Sequence, residues 1–291
     1  MADAVIASGR LVELASLTAV SEAVTMEVTH LRHVQPTRRY RSLGNTADWT
    51  ADWSTVDFDA LGINPMVRLV PVLYHTALSD ATWEVFAGPT RDSTLTSGAP
   101  FYYSGTLWRS VDCLHLIMPA GMPNDVSLRR RHDWLWTPGG IDLATNPFLR
   151  IKITDPSNTA GFIDIGGFLP DSGYQPSLGI AQRPTGAVAE EARRTTTTRG
   201  VTHPQIRPRM RTRQFVIQAV GDGAQVEFQE NVLALEELRG VSESVTLVLD
   251  PEISALAMNY IVYGLLDQLN PVQLGEPWHM YECPVNITEL L

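Results

Sequence analysis

Between residues 148 and 168 the chain alternates. Leu149, Ile151 and Ile153 are interleaved with Phe148, Arg150, Lys152 and Thr154. A two-residue period puts the aliphatic set on one face of a pleated strand and the polar set on the other. Asp155-Pro156-Ser157-Asn158 then stops it, because proline has no ladder donor and Asp and Asn bond their own backbone. Phe162, Asp164 and Gly166 alternate with Ile163 and Ile165 on the return. The stretch predicts a hairpin of two short strands around a tight polar turn. That suits a β-sandwich which holds or recognises something better than it suits a catalyst.

The rest of the first 180 residues has the same grain. Leu11–Leu14 and Leu17–Val20 are short β-like pieces. Asn45–Trp53 is rich in Trp and Asp and predicts a loop. Ser54–Asp59 predicts a strand, with Val56 and Phe58 on one face. Met66–Tyr74 is nearly continuous apolar, as in a strand covered on both faces. Pro71 within it belongs at an edge or a bulge. Ala81–Gly88, an extended piece at Phe101–Tyr103 and Cys113–Met118 follow. No segment here has a 3.6-residue apolar period. Many short strands with Gly/Pro turns imply a sandwich or barrel.

Residues 170–192 are Pro-, Gly- and Ala-rich and predict a linker or wrapping arm. Beyond them the character changes. Arg193–Val201 is polar and β-prone, and Arg209–Gln218 predicts a strand with arginines on one face. Ala224–Leu238 predicts the one amphipathic helix, stopped by Gly240. Val245–Asp250, Tyr260–Leu266 and Met280–Ile287 predict buried strands, the last two as a pair. The domains expected are an arm at 1–10, a sandwich at 11–180, a linker at 181–192 and a smaller β-rich α+β assembly domain at 193–291.

At 291 residues with 44% hydrophobic side chains, the chain can bury a substantial core. No apolar run is long enough to cross a membrane as a helix. The N-terminus lacks the basic start and apolar centre of a secretion signal, so synthesis and retention in a cytoplasm until assembly or lysis is expected. A net charge of −10 argues against a general nucleic-acid binder. Cys113 and Cys283 stand far apart without metal-ligand spacing, and the seven histidines are scattered, so neither a metal nor a cofactor is expected.

The ordered features of the first region resemble the galactose-binding-like, or discoidin-type, jelly roll. They run from Leu17–Glu22 and Val28–Leu31 through the basic segment Arg38–Ser42 to Phe148–Asp155 and Phe162–Phe168. The closer resemblance, over roughly residues 10–290, is to tail-tip structural proteins of tailed bacteriophages that contain this sandwich. There a strand like 148–155 precedes an Asp-Pro/Asn turn, a Gly-aromatic pair and Ile-x-Ile-Gly. A later part carries Leu-Val-Leu-Asp-Pro, Tyr-Gly-Leu and a final strand ending in Glu-Leu. Here these are Leu247–Pro251, Tyr263-Gly264-Leu265 and Ile287–Leu291. The resemblance implies a non-enzymatic virion component, made in the bacterial host. It would assemble as a ring or trimer and contact other tail proteins. No calcium or sugar-binding residues of the fold can be placed on this sequence.

Candidate sites follow from residue type. Asp48, Asp52, Asp57 and Asp59 are dense enough to suggest paired carboxylates, but a polar loop followed by the exposed face of a strand explains them better, since nothing marks an acid with a raised pKa. No nucleophile elbow or phosphate loop is present, so no catalytic residue is assigned. Trp49 and Trp53, in the expected polar loop, suit a subunit interface first, core packing second and stacking against a cell-surface glycan third. The arginines Arg129, Arg130, Arg131, Arg209, Arg211 and Arg213 suit charge pairing between identical, acidic subunits better than sequence-specific nucleic-acid contact. A carbohydrate-binding adhesion module is the alternative function, and a polysaccharide-degrading enzyme a disfavoured third.

Overall fold

The computed structural model describes residues 4–9, 11–32, 38–78, 80–107 and 132–176. Beyond these it describes the strand segments 185–189, 193–196, 202–205, 210–220, 244–249, 261–266, 273–275 and 280–289, with residue 251. The chain is mainly β. In order the first strands are β1 (Ala4–Ala7), β2 (Ser16–Ala19), β3 (Tyr40–Arg41), β4 (Thr46–Asp52), β5 (Met66–Leu73), β6 (Thr82–Gly88) and β7 (Phe101–Thr106). Next come β8 (His132–Asp142), β9 (Phe148–Thr154), β10 (Asp164–Ile165) and β11 (Gly167–Phe168). The later strands are β12 (Thr185–Ala189), β13 (Arg193–Thr196), β14 (Thr202–Gln205), β15 (Met210–Val220) and β16 (Ser244–Leu249). The last are β17 (Ile261–Leu266), β18 (Gln273–Gly275) and β19 (Met280–Glu289). Helix is confined to α1 (Leu11–Leu14), α2 (Phe58–Leu61) and two 3₁₀ turns among the described residues. No helix among these residues is long and apolar enough to cross a membrane.

The chain divides into two compact units. One comprises residues 9–173 and 252–261, the other residues 1–8, 174–251 and 262–291. The first is an antiparallel jelly-roll sandwich. A five-stranded sheet, ordered β2-β4-β9-β6-β7, faces a three-stranded sheet, β11-β5-β8. Trp49 from the first meets Phe168 from the second edge-on, with ring centroids 5.6 Å apart. Trp49, Trp53, Trp83 and Trp134 are all fully buried, so the core is built on indoles. Tyr40 lies against Trp49, and its hydroxyl donates to the Ser21 carbonyl at 2.9 Å. Burial pushes that phenol up to about 12.

Several elements differ from expectation, each for a local reason. Residues 46–52 are β4, not loop: Ala47, Trp49 and Ala51 alternate inward against Asp48 and Thr50. Leu11–Leu14 is a helical turn rather than a strand. Ser54–Asp59 is not a strand either. Asp57 accepts from the Ala60 amide and caps α2, and Gly62, at φ 62°, ends it. Pro71 lies in the central strand of its sheet. Its carbonyl accepts from Leu169 just where β11 has ended, so its missing donor also falls at that break.

The expected hairpin at 148–169 is also not one. β9 pairs with β4 and β6, whereas β10 pairs with β3 and β11 with β5. The Asp155-Pro156 stop and Gly161, at φ 74°, send the chain from one sheet to the other instead of back along β9.

The second unit contains a seven-stranded sheet, β1-β16-β17-β19-β15-β12, with β18 also on β19. The expected N-terminal arm supplies its edge strand β1, paired with β16. Part of the expected linker is the opposite edge, β12, paired with β15. Ladder bonding to a distant neighbour defines both edges: β1 is a short apolar Ala-Val-Ile-Ala piece that takes its partner from β16, and β12 has little apolar pattern of its own. β13 and β14 form a separate two-stranded ribbon. The expected helix at 224–238 and the expected strand at 113–118 lie outside the described residues.

Candidate functional site

The outer face of the five-stranded sheet concentrates the polar side chains of the sandwich. Cross-strand register sets its rungs. Thr50, Arg150, Phe86 and Tyr102 lie on one, and Asp48, Lys152, Glu84 and Ser104 on the next. Arg150 grips Asp48 bidentately, Nε to Oδ1 at 2.8 Å and Nη2 to Oδ2 at 2.6 Å. Its remaining nitrogen, Nη1, donates to the Thr94 carbonyl at 3.2 Å. Hydrogen bonding to Asp48 raises the Arg150 guanidinium above its ordinary value, against the opposing effect of burial. Lys152 Nζ donates to Glu84 Oε2 and Tyr102 Oη to Glu84 Oε1, both at 3.0 Å. Burial works against the Glu84 charge, but those bonds and the nearby cations outweigh it, holding its carboxyl below the ordinary glutamate value.

Of the remaining acids suggested by the sequence, two have structural partners, and Asp59 is exposed in the first turn of α2. Asp52 accepts from the Ser54 amide and Asp57 caps α2. Trp49 and Trp53, expected at an exposed surface, are 0% and 1% accessible. Trp53 Nε1 donates to the Leu11 carbonyl at 2.7 Å and ties α1 to the end of β4. Inward alternation put both indoles in the core, so they form no sugar platform or interface. Arg129, Arg130, Arg131 and Arg209 lie outside the described residues. Arg211 and Arg213 are on β15, paired opposite Val188 and Gly186 of β12. Arg213 shares the strand face that further along carries buried Phe215 and Ile217, so it is half-buried rather than solvated. The structure does not gather these arginines into one described cluster. Cys283 is buried on β19. Among the described residues, no group of three His, Cys, Asp or Glu side chains is placed to hold a metal ion.

Two features escaped the sequence reading. His75 and Asp133 are buried together, Nε2 to Oδ2 at 3.0 Å. Beside them His132 Nδ1 accepts from the Tyr74 amide at 3.2 Å, with its ring edge-on to Tyr74. Only the register of β5 on β8, across 58 residues, brings them together. The second is the reason for the Ile-x-Ile-Gly motif. Tyr74 has φ 54°, and a Cβ on Gly166 would stand 2.7 Å from the Tyr74 Cβ. Gly264 of Tyr-Gly-Leu is likewise obligatory, since a Cβ there would strike the Thr288 backbone carbonyl.

No family model matches the chain, and no curated protein does. Solved structures do. One is reduced XRCC1 bound to the DNA polymerase β catalytic domain, at 13% identity over 53% of this chain and 93% of that one, with TM-score 0.34. A second is the N-terminal domain of the single-strand break repair protein XRCC1, at 12% identity with the same coverage and TM-score. A third is an f-lectin (fucolectin) from serum of the striped bass Morone saxatilis, at 7% identity over 97% of this chain and 95% of that one, with TM-score 0.35. The sandwich itself is defined by its own strand pairing.

Proposed function

We propose that this chain is a structural, non-enzymatic component of a bacteriophage tail, at the distal tail or tail tip. It is made in the bacterial host, assembles as a ring or trimer and contacts neighbouring tail proteins. The ordered motifs support this reading, and those of the C-terminal part fall on adjacent strands. Leu247–Leu249 lies in β16, Tyr263–Leu265 in β17 and Ile287–Glu289 in β19. Gly264 faces Glu289 across the β17–β19 ladder.

The observation that carries the proposal is the ribbon of β13 and β14. Among the described residues these strands pair only with each other. A short, arginine- and threonine-rich ribbon of this kind suits strand addition to a neighbouring subunit. The test is light scattering on the full chain and on a variant with residues 193–205 replaced by a short Gly-Ser turn. The full chain is expected to be a trimer or larger ring, and the variant smaller with an unchanged melting temperature. A monomeric full chain, or a variant that assembles normally, overturns the arm assignment.

A further inference from the structure

We infer that β7 is a two-fold interface of this protein: the open edges of two copies pair antiparallel and run their five-stranded sheets together into one. The assembly proposed above turns each subunit onto the next around a ring or trimer. A self-complementary contact at β7 is of the other kind, joining two such rings, and it uses neither β13 nor β14. Among the described residues β7 pairs only with β6, and its other side is open. Folded chains blunt such an edge with a charge, a proline or a covering segment. The other edges of the sandwich do so. β8 carries Asp133, Pro138 and Asp142. β2 lies beside the Val28–Arg32 turn, from which Arg32 Nη2 donates to the Ala15 carbonyl. β11 is only Gly167–Phe168. β7, Phe101–Thr106, has no proline, no charged side chain and an unbroken register on β6.

The backbone of β7 sets the register. Leu107 N donates to the Ala81 carbonyl at 2.9 Å, the next position of the β6–β7 ladder. Bonded pairs alternate along an antiparallel ladder, so Phe101, Tyr103 and Gly105 bond inward to β6. The N–H and C=O groups of Tyr102, Ser104 and Thr106 therefore point off the edge. A two-fold axis through Tyr103 pairs Tyr102 with Ser104 of the second copy on both sides and closes those main-chain hydrogen bonds.

The side chains suit the same axis. It keeps half-buried residues opposite half-buried ones, Tyr103 facing Tyr103 and Phe101 facing Gly105, and exposed Tyr102 opposite exposed Ser104. An axis through Ser104 would instead lay each Tyr103 on the second copy's Gly105. That place is taken, since a Cβ on Gly105 would stand 2.5 Å from the hydroxyl of its own Tyr103. Because the strand is uncharged, no like charges meet across the axis. So short a ladder is a small contact alone, but a ring presents several together and gains by multivalency.

The experiment combines thiol crosslinking and light scattering on the full chain. Tyr103→Cys lies on the axis at a non-hydrogen-bonded position, where opposed side chains come closest. Under mild oxidation it should form an intermolecular disulfide at residue 103, identified by peptide mapping, and Ser104→Cys should not. Tyr102→Lys combined with Ser104→Lys sets like charges opposite each other at exposed positions. It should halve the particle mass while the circular dichroism stays that of the wild type. The disulfide should also form in the chain whose residues 193–205 are replaced, so failure of the assembly reading leaves this result standing. No disulfide at residue 103, crosslinking favoured at residue 104, or an unchanged mass for the folded lysine variant overturns the interface. Those are the results expected if another segment of the chain or a different protein covers the edge.

Discussion

Arg150 and Asp48 sit one rung apart on neighbouring strands, and the arginine fork closes on both carboxylate oxygens, at 2.8 and 2.6 Å. Asp48 is 8% accessible, so the pair is shielded from water. Removing one partner strands the other in a poorly solvated place. Arg150→Met is expected to lower stability by about 2 kcal/mol, below the range for fully buried pairs because Arg150 keeps some solvent contact. Urea denaturation of Arg150→Met, Asp48→Asn and the double variant checks this. The double variant should recover part of the loss, and strict additivity would show that the two groups do not interact.

Core and surface aromatics should separate clearly. Trp49→Ala removes a fully buried indole packed on Tyr40 and Phe168 and is expected to cost about 3–5 kcal/mol. Tyr102→Ala should cost well under half of that, because its ring is partly solvated in the folded chain. Chemical denaturation of the two variants side by side measures the difference, and equal losses would contradict the placement of Trp49.

That placement also shows what was readable in the sequence. The alternation at 148–154 was legible because its aliphatic residues are large and its break is chemical, an Asp-Pro step. The same alternation exists at 46–52, yet its inward set is Ala47, Trp49 and Ala51 between acids and threonines. Two alanines carry little hydrophobic signal, so turn-rich composition dominated. The destination of the segment after Asp155 was hidden for another reason. Residues 164–168 are too short to declare a partner, and they are drawn to β3 and β5 by long-range pairing. The His75–Asp133 pair and the polar strip around Tyr102 exist only through register, which local composition does not encode.

Gly264 and Gly44 make a sharp comparison. Gly264→Ala drives a methyl group into backbone, which cannot move aside as a side-chain tip can. A loss of about 1–3 kcal/mol is expected, with faster hydrogen exchange along β17 and β19. Gly44→Ala, where a Cβ meets nothing within 4 Å, should be near neutral. Thermal melting with exchange mass spectrometry measures both.

Acid should release the Glu84 contacts. Its carboxyl is held below the ordinary glutamate value, so the unfolded chain takes up a proton there first as pH falls. The Glu84 contribution is therefore complete above the ordinary range and is lost as pH drops through the folded value. The stability gap between wild type and Glu84→Gln should be present at pH 7 and shrink steadily as pH falls below the ordinary glutamate range. A gap that widens on acidification would contradict the direction of the shift.

The tail assignment is tested most directly by electron microscopy of phage particles produced from the genome that encodes this chain, gold-labelled with an antibody against it. Label confined to the distal end of the tail is the predicted result. Intact, antibody-accessible particles that carry no label at the tail would contradict it.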